Sequence, residues 1–356
     1  MSKIISDLYG CDFVIDLGEK RNKIKLLQLT DMQVIDSSQR RTPERLRPDE
    51  IKAWAPENFD ALCGNHIRSL VSQTKPDLIF ITGDIVYGSF DDKGSTLKWF
   101  CKFMDSLEIP WAPVFGNHDN ESKMGVAWQC EQFEKSKYCV FKRGEVFGNG
   151  NYTVGILSEG KLVRALHMTD SNGCAAGDDK DVIKAEIICP DQIELIKKKT
   201  QLIQSKCNAK IPAFLAFHIP TKEFEEAEKY NGYITDSRKF YTIGVDAEQK
   251  NGDFGFKLED YESIKTPADF IDTLKECNID GVFTGHCHNI CTCIEYENIR
   301  WVFGLKTGQY DYHIPGQIGA TLVTLDGKDF DVLHVPSLVA YGPFPGKAKM
   351  FNNFFA

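Results

Sequence analysis

Five short polar motifs, each directly following an apolar run, constrain this 356-residue chain more than any other feature of its sequence. In chain order they are Asp31-Met32-Gln33, Gly83-Asp84, Gly116-Asn117-His118-Asp119, His218 and Gly285-His286-Cys287-His288. The run before the second motif, DLIFIT at 77–82, is typical of a strand covered on both faces. The sequence therefore predicts a sheet protein in which carboxylates, an amide and imidazoles meet at the ends of strands.

Strands and helices alternate along the first part of the chain. Strands are predicted at 23–29, 77–82 and 111–115, with helices at 59–73 and 95–107 between them. This order predicts a sheet with right-handed crossovers. Further predicted elements are a hairpin over 151–168, a helix at 190–206, a strand at 211–217, a helix at 267–277, and strands at 281–284, 291–296, 300–305, 319–325 and 329–335.

Two mixed sheets packed face to face, with helices outside, accommodate this order of elements. The chain shows neither an internal repeat nor a linker, so we expect a single domain over 1–356, with a core at about 22–336 and an extension at each end. The charged segment 222–229 predicts a helix whose glutamates form a solvated face. Residues 231–256 are predicted to form a long loop over the site.

Charge and hydropathy restrict the partners and the location. The formal net charge of −9 disfavours nucleic-acid binding, which relies on clustered lysine and arginine. No apolar stretch approaches the ~20 residues that a membrane span requires. The first residues lack the long apolar segment of a secretory signal, and twelve cysteines without such a signal favour free thiols in a reducing compartment. We therefore expect a cytoplasmic protein.

The residue types in the five motifs are those that a two-metal hydrolytic centre requires. Strand alternation, if it continued past the strand ends, would place Asp31 and Gln33 on one side, and likewise His286 and His288. The predicted ligands are Asp84 bridging both cations, Asp31 and His288 for the first, and Asn117, His218 and His286 for the second. Such a pair, roughly 3.5–4 Å apart, clamps a phosphate and holds a bridging hydroxide that attacks phosphorus. His118 is predicted to face the substrate and protonate the leaving oxygen.

These motifs resemble those of the calcineurin-like metallophosphoesterases, and within them the purple acid phosphatase-like subgroup. The resemblance runs from about Ile24 to about Leu325 and includes longer stretches such as 109–122 and 282–286. It implies an α/β fold, a four-layer sandwich of two mixed β-sheets flanked by helices, and hydrolysis of a phosphorylated small molecule or phosphoprotein. The implied cofactors are two divalent or mixed-valence metal ions, namely manganese, iron or zinc, with magnesium also open.

Gln33 departs from the family pattern, which usually places a histidine ligand to the first metal at this position. A glutamine offers either a neutral amide oxygen, which suits Mn²⁺ or Mg²⁺, or a hydrogen bond to a metal-bound water. Tyr87, in Gly83-Asp84-x-x-Tyr87, resembles the tyrosine that binds ferric iron in true purple acid phosphatases. Packing against the sheet is the alternative role for Tyr87.

Two further residues have open roles near the site. Asp119 either orients His118 or caps the following helix. His313 lies in an aromatic-histidine segment similar to one in the subgroup, which implies a place in the substrate pocket.

We expect a phosphomonoesterase with His118 as general acid. The alternatives are a phosphodiesterase using the same metal pair, or a catalytically weak metal- or phosphate-binding protein because of Gln33.

Overall fold

The computed structural model describes residues 2–18, 23–36, 41–42, 51–54, 59–173, 187–232, 253–314 and 317–339. Within these residues one sheet has eight strands in the order β1-β2-β6-β7-β8-β9-β11-β10. Its strands are β1 Lys3–Leu8, β2 Cys11–Asp16, β6 Tyr152–Ser158, β7 Lys161–Met168, β8 Ala213–Ala216, β9 Ile279–Thr284, β10 Cys293–Tyr296 and β11 Ile299–Phe303.

The other sheet has five strands in the order β13-β12-β3-β4-β5. These strands are β3 Ile24–Leu29, β4 Leu78–Thr82, β5 Trp111–Val114, β12 Gly319–Asp326 and β13 Asp329–Pro336. The neighbours β3, β4 and β5 are parallel, whereas β12 is antiparallel to both β3 and β13. The eight-stranded sheet also combines parallel and antiparallel pairs, so both sheets are mixed, as predicted.

Helices cover the outer face of each sheet. They are α1 Phe59–Thr74, α2 Ser95–Asp105, α3 Val126–Lys135, α4 Pro190–Cys207, α5 Lys222–Tyr230 and α6 Phe270–Glu276. Apolar residues of α1 and α2 join the core cluster that contains both sheets, and Phe80 of β4 meets Phe283 of β9 edge-on at 5.3 Å between ring centroids. A second cluster packs α4, α5 and α6 against the eight-stranded sheet. The result is the predicted sandwich of four layers.

The predicted helices and strands appear with shifts of a few residues at their ends. The hairpin β1-β2 and helix α3 were not predicted. Strand β1 is the reason for the first omission, because it is a mostly exposed edge strand without an apolar run. The hairpin nevertheless belongs to the eight-stranded sheet, since β2 pairs in parallel with β6. No helix in the described part of the chain is long and apolar enough to cross a membrane.

The prediction of a solvated glutamate face on α5 was wrong for two of its members. Glu223 and Glu228 are buried, with only 2% and 1% of their surface exposed. The Glu228 carboxylate accepts hydrogen bonds from Lys257 Nζ at 2.6 Å and from Tyr261 Oη at 3.0 Å. These acids attach α5 to the segment that follows residue 252. Most of the loop predicted at 231–256 lies outside the described residues.

Candidate metal centre

The five motifs meet where the carboxyl ends of strands from both sheets come together. Because β3, β4 and β5 are parallel neighbours, the chain leaves them at one edge of the five-stranded sheet. The two sheets are joined at this edge by hydrogen bonds. Gln28 Nε2 donates to the Thr284 carbonyl oxygen at 2.8 Å, and His218 Nδ1 lies 2.7 Å from the Thr82 carbonyl oxygen. The site is therefore built on the ends of rigid strands.

The backbone turns sharply at four of the site residues. Asp31, Gln33, Asp84 and His286 have φ angles of 52°, 46°, 52° and 72°, in the left-handed region that non-glycine residues rarely adopt. The expectation that strand alternation aligns Asp31 with Gln33, and His286 with His288, was therefore wrong. These residues lie beyond the ends of β3 and β9, and turns bring their side chains together.

Glycines permit the close approach of these turns. Gly83 has a φ of 87°, and a Cβ added to it would lie 2.6 Å from His218 Nδ1. A Cβ on Gly285 would lie 2.7 Å from Asp31 Oδ2. Both distances are shorter than van der Waals contact allows, so a side chain at either position would push a predicted ligand out of place.

One group of predicted ligands, which we call the second-site half, consists of Asp84, Asn117, His218 and His286. His218 Nε2 lies 3.1 Å from Asn117 Oδ1 and 3.3 Å from Asp84 Oδ1, and His286 Nδ1 lies 2.9 Å from Asn117 Oδ1. When His218 Nδ1 carries its proton toward Thr82, the neutral ring presents the Nε2 lone pair to these oxygens. Lone pairs that converge in this way require a cation or a proton between them.

In the absence of a cation, a proton on His218 can lie between these oxygens and the ring, and the pKa of His218 shows that this is favourable. Burial alone lowers the pKa of this imidazole, but the Asp84 carboxylate outweighs burial and raises it to about 9. Burial would raise the pKa of Asp84, yet His218 and His118 hold it below its ordinary value. Burial and His218 lower the pKa of His286 to about 4, so the second-site half favours a single positive charge, held beside Asp84.

The other group, the first-site half, contains Asp31 and His288 and shares Asp84. Ligand atoms of these three residues lie within 4.8 Å of one another. His288 Nδ1 lies 2.9 Å from the Tyr312 carbonyl oxygen, so the neutral ring directs its Nε2 lone pair toward Asp31 Oδ1 at 3.4 Å. That carboxylate oxygen is buried without a hydrogen-bond partner among the described residues. A metal ion between Asp31 Oδ1 and His288 Nε2 would satisfy both atoms.

The first-site half also contains a residue that sequence reasoning missed. Lys306 has only 2% of its surface exposed. Its Nζ donates hydrogen bonds to Gln33 Oε1 at 2.7 Å and to the Asp31 carbonyl oxygen at 2.9 Å. Gln33 Nε2 lies 3.4 Å from Asp84 Oδ2. One role predicted for Gln33 was to bind the metal through its amide oxygen. That oxygen already accepts a hydrogen bond from Lys306. The sequence signal was a lysine in an apolar run directly after a strand, in WVFGLKTG.

His118 lies beside the metal-ligand candidates with its ring partly exposed. Its backbone N–H donates to Asp84 Oδ1 at 2.9 Å, and its Nδ1 lies 2.9 Å from Glu121 Oε2. Burial lowers the pKa of His118, but the carboxylates of Asp84 and Glu121 outweigh it and raise the pKa above the ordinary value. Glu121 was also missed from the sequence, although it lies only three residues beyond His118.

Tyr87 and Asp119 have roles that the structure makes more specific. The Tyr87 ring packs edge-on against His118 and Phe90, at 4.8 and 4.9 Å between centroids, while a ligand role for its phenol stays a prediction. Asp119 accepts the backbone N–H groups of Val86 at 2.9 Å and Gly116 at 2.8 Å. Its carboxylate thus ties together the loops after β4 and β5, a role that neither of the sequence-based alternatives anticipated.

The segment before β12 reaches the first-site half through Tyr312, whose ring lies over His288 at 4.3 Å between centroids. His313 is buried, and its Nδ1 lies 2.7 Å from the Asp311 carbonyl oxygen. The predicted place of His313 in a substrate pocket stays a prediction. Outside the centre, His66 and His167 are buried and His334 is half-buried, and each is hydrogen-bonded to a side chain or to the backbone, which indicates a structural role.

Comparison with known proteins identifies the family. The family model described as calcineurin-like phosphoesterase matches residues 24–289. The chain belongs to the calcineurin-like phosphoesterases. It is 24% identical over 327 residues to the probable inactive purple acid phosphatase 29 of Arabidopsis thaliana, covering 83% of this chain and 74% of that protein. It is 24% identical over 302 residues to phosphatase DCR2 of Saccharomyces cerevisiae, covering 78% of this chain and 47% of that protein.

Among solved structures, this phosphoesterase resembles a purple acid phosphatase from yellow lupin seeds. The two share 12% identity and a TM-score of 0.44, over 90% of this chain and 53% of the lupin chain. The plant relatives numbered 29 and 14 both carry the word inactive in their names. Family membership therefore establishes the class of metallophosphoesterase and leaves the specific activity to be tested.

Proposed function

We propose that the chain is a phosphomonoesterase with a two-cation centre. The observation that carries this proposal is the convergence of buried lone pairs. His218 and His288 each bind a backbone carbonyl through Nδ1 and direct Nε2 toward a carboxylate of the centre. The residues proposed to hold the cations are Asp31, Asp84 and His288 on one side, and Asp84, Asn117, His218 and His286 on the other.

The chain's own residues prepare the reaction. Bound cations of this kind neutralise the phosphoryl oxygens and supply an activated water as the nucleophile. Asp84 borders both halves, and backbone hydrogen bonds from Asp31 and Gln33 to Gly83 and Asp84 keep the motif loops in register at 3.1 and 2.8 Å. Manganese, iron and zinc all accept this mixture of carboxylate, amide and imidazole donors.

His118 is proposed to protonate the leaving oxygen. With Nδ1–H donating to Glu121, the protonated ring carries its other proton on Nε2, and the side chain is partly exposed. The raised pKa of His118 favours this charged form. A general acid in this position lowers the barrier most for esters whose leaving group is a poor one.

The preference for monoesters is supported by the relatives. Those named as phosphatases align with 70% or more of this chain, whereas the match to a probable cyclic nucleotide phosphodiesterase of Xenorhabdus bovienii covers 28% of it. The phosphorylated substrate itself, whether a small molecule or a phosphoprotein, is not specified by these similarities.

A direct test compares the Mn²⁺- or Fe-loaded wild-type chain with His118→Ala on an alkyl phosphate monoester, whose leaving group is a poor one, and on the matching diester. We expect faster turnover of the monoester and a loss of about 10²–10⁴-fold in the variant, with an unchanged metal content. Equal turnover by both chains would remove His118 from the mechanism. Faster turnover of the diester would favour a phosphodiesterase, and a fully loaded wild type without turnover would favour the binding-protein alternative.

A further inference from the structure

The hydrogen bonds of Gln33 determine which end of its amide faces the centre. An ammonium group only donates hydrogen bonds, so the atom 2.7 Å from Lys306 Nζ must be the amide oxygen. The NH₂ group then lies at the other end, 3.4 Å from Asp84 Oδ2. Both side chains are buried, so reversing the amide would leave two donors facing each other away from water.

An amide in this orientation presents donors to the centre. A metal ion binds to lone pairs, but the Gln33 oxygen that carries them already accepts a hydrogen bond from the Lys306 ammonium, whose positive charge opposes a metal ion at the same atom. One N–H points toward Asp84, and the second N–H has no acceptor among the described residues. A phosphoryl oxygen bound at the centre would provide that acceptor, since anionic oxygens are strong partners for amide N–H groups.

We propose that Gln33 binds the phosphoryl group of the substrate through Nε2, and that Lys306 is a positioning residue that holds the Gln33 amide in the donating orientation. The proposal rests on the proposed function, because it requires a phosphoryl group at the centre. At the position where the family pattern has a metal ligand, this chain then has a substrate contact.

The test measures metal content and phosphate binding separately. The full chain is loaded with Mn²⁺, its metal is quantified by mass spectrometry, and inorganic phosphate is titrated by calorimetry. We expect Gln33→Leu to retain the wild-type amount of manganese and to raise the Kd for phosphate about 10-fold or more, since a hydrogen bond to a charged group is lost. Gln33→Glu should weaken phosphate further, because its carboxylate can still accept from Lys306 but repels the anion.

Lys306 is tested through its coupling to Gln33. We expect Lys306→Met to weaken phosphate binding in the wild-type background and to add little in a Gln33→Leu background, because it acts only through the amide. Thermal unfolding checks that each variant folds. If Lys306→Met does not fold, the comparison of Gln33→Leu with Gln33→Glu still decides the role of Gln33.

Three results would overturn the proposal. Loss of one manganese ion in Gln33→Leu would make Gln33 a metal ligand, and an unchanged phosphate Kd would remove the substrate contact. Additive effects of the two substitutions would remove the positioning role of Lys306. A wild type that binds phosphate but hydrolyses no phosphate monoester would instead count against the proposed function, so the two failures are distinguishable.

Discussion

The two halves of the centre differ in what they offer a cation. In the second-site half, His218 and His286 face Asn117 and the shared Asp84 with distances of 2.9–3.3 Å between their polar atoms. In the first-site half, Asp31 and His288 provide lone pairs, but the neighbouring amide presents N–H groups and a buried ammonium lies behind it. The second-site half thus offers more candidate ligands. The first-site half offers fewer candidate ligands and has an added positive charge.

This difference predicts separate tasks for the two halves. A buried positive charge opposes the binding of a second cation nearby, since Coulomb interactions are weakly screened in the interior. The N–H groups of the Gln33 amide, which face the centre, favour an anionic oxygen there. We therefore expect the second-site half to bind metal more tightly and the first-site half to contribute more to holding the phosphoryl group.

Replacing the shared carboxylate should affect both halves together. Asp84→Asn removes the negative charge from a residue whose oxygens face His218 on one side and Gln33 on the other. We expect loss of metal from both halves and a fall in turnover of more than about 100-fold, the upper end for residues that only support a ligand. Metal analysis after dialysis checks this expectation. Retention of both ions would show that Asp84 is not shared.

A matched pair of substitutions should separate the halves. His218→Ala and His288→Ala each remove one imidazole that is hydrogen-bonded through Nδ1 to a backbone carbonyl. We expect each variant to retain about one ion, with the ion that remains in His288→Ala bound more tightly than the one in His218→Ala. Titration with Mn²⁺ in a competing chelator measures both affinities. The reverse order would contradict the proposed inequality between the halves.

Restoring the family histidine should help only when the lysine is also replaced. In Gln33→His the imidazole must present one lone pair to Lys306, so the neutral ring carries its N–H toward the centre. We expect little change in metal affinity from Gln33→His alone and a gain of about 10-fold in Gln33→His with Lys306→Met, which leaves the ring free to bind the cation. A full gain in the single variant would show that Lys306 does not restrict this position.

The smallest effect contrasts the centre with a histidine outside it. His167 is buried beside Thr153, and burial lowers its pKa from the ordinary 6.5 to about 4, whereas the pKa of His218 is raised. Above pH ~6.5 the His167 ring is neutral in both the folded and the unfolded chain. As the pH falls toward 4, only the unfolded chain takes up the proton, so the free energy of unfolding drops by at most about 3 kcal/mol.

Denaturant unfolding between pH 8 and pH 4 measures this contribution. His167→Gln keeps a polar side chain at the position but removes the titration, so its free energy of unfolding should fall less over this range than that of the wild type. Comparing the two chains cancels the titration of every other group. Parallel pH profiles for the two chains would contradict the assignment.

Much of the fold was predictable because the informative strands are buried on both faces. The runs before Asp31, Asp84 and Asn117 are mostly apolar, and the structure confirms a strand for each. The elements that were missed lack this signal. Strand β1 is an exposed edge strand, and helix α3 contains charged and polar residues among its buried ones.

The residue types of the centre were predictable, but its geometry was not. The left-handed backbone at Asp31 and His286 replaces the strand alternation that the sequence suggested, and the preference of Asp and His for this backbone is too weak to locate such a turn. Lys306 lies 273 positions from Gln33 along the chain, so their contact follows only from the packing of β3 beside the segment after β11. Pairs of this kind need the fold before they can be identified.

We propose that side chains from five separate motifs hold two cations in one pocket. Anomalous diffraction at the manganese edge from crystals of the Mn²⁺-loaded chain tests it most directly. We expect two peaks roughly 3.5–4 Å apart on either side of Asp84, one beside His218 and the other beside His288. Peaks elsewhere in the molecule, or none between these side chains, would contradict the account.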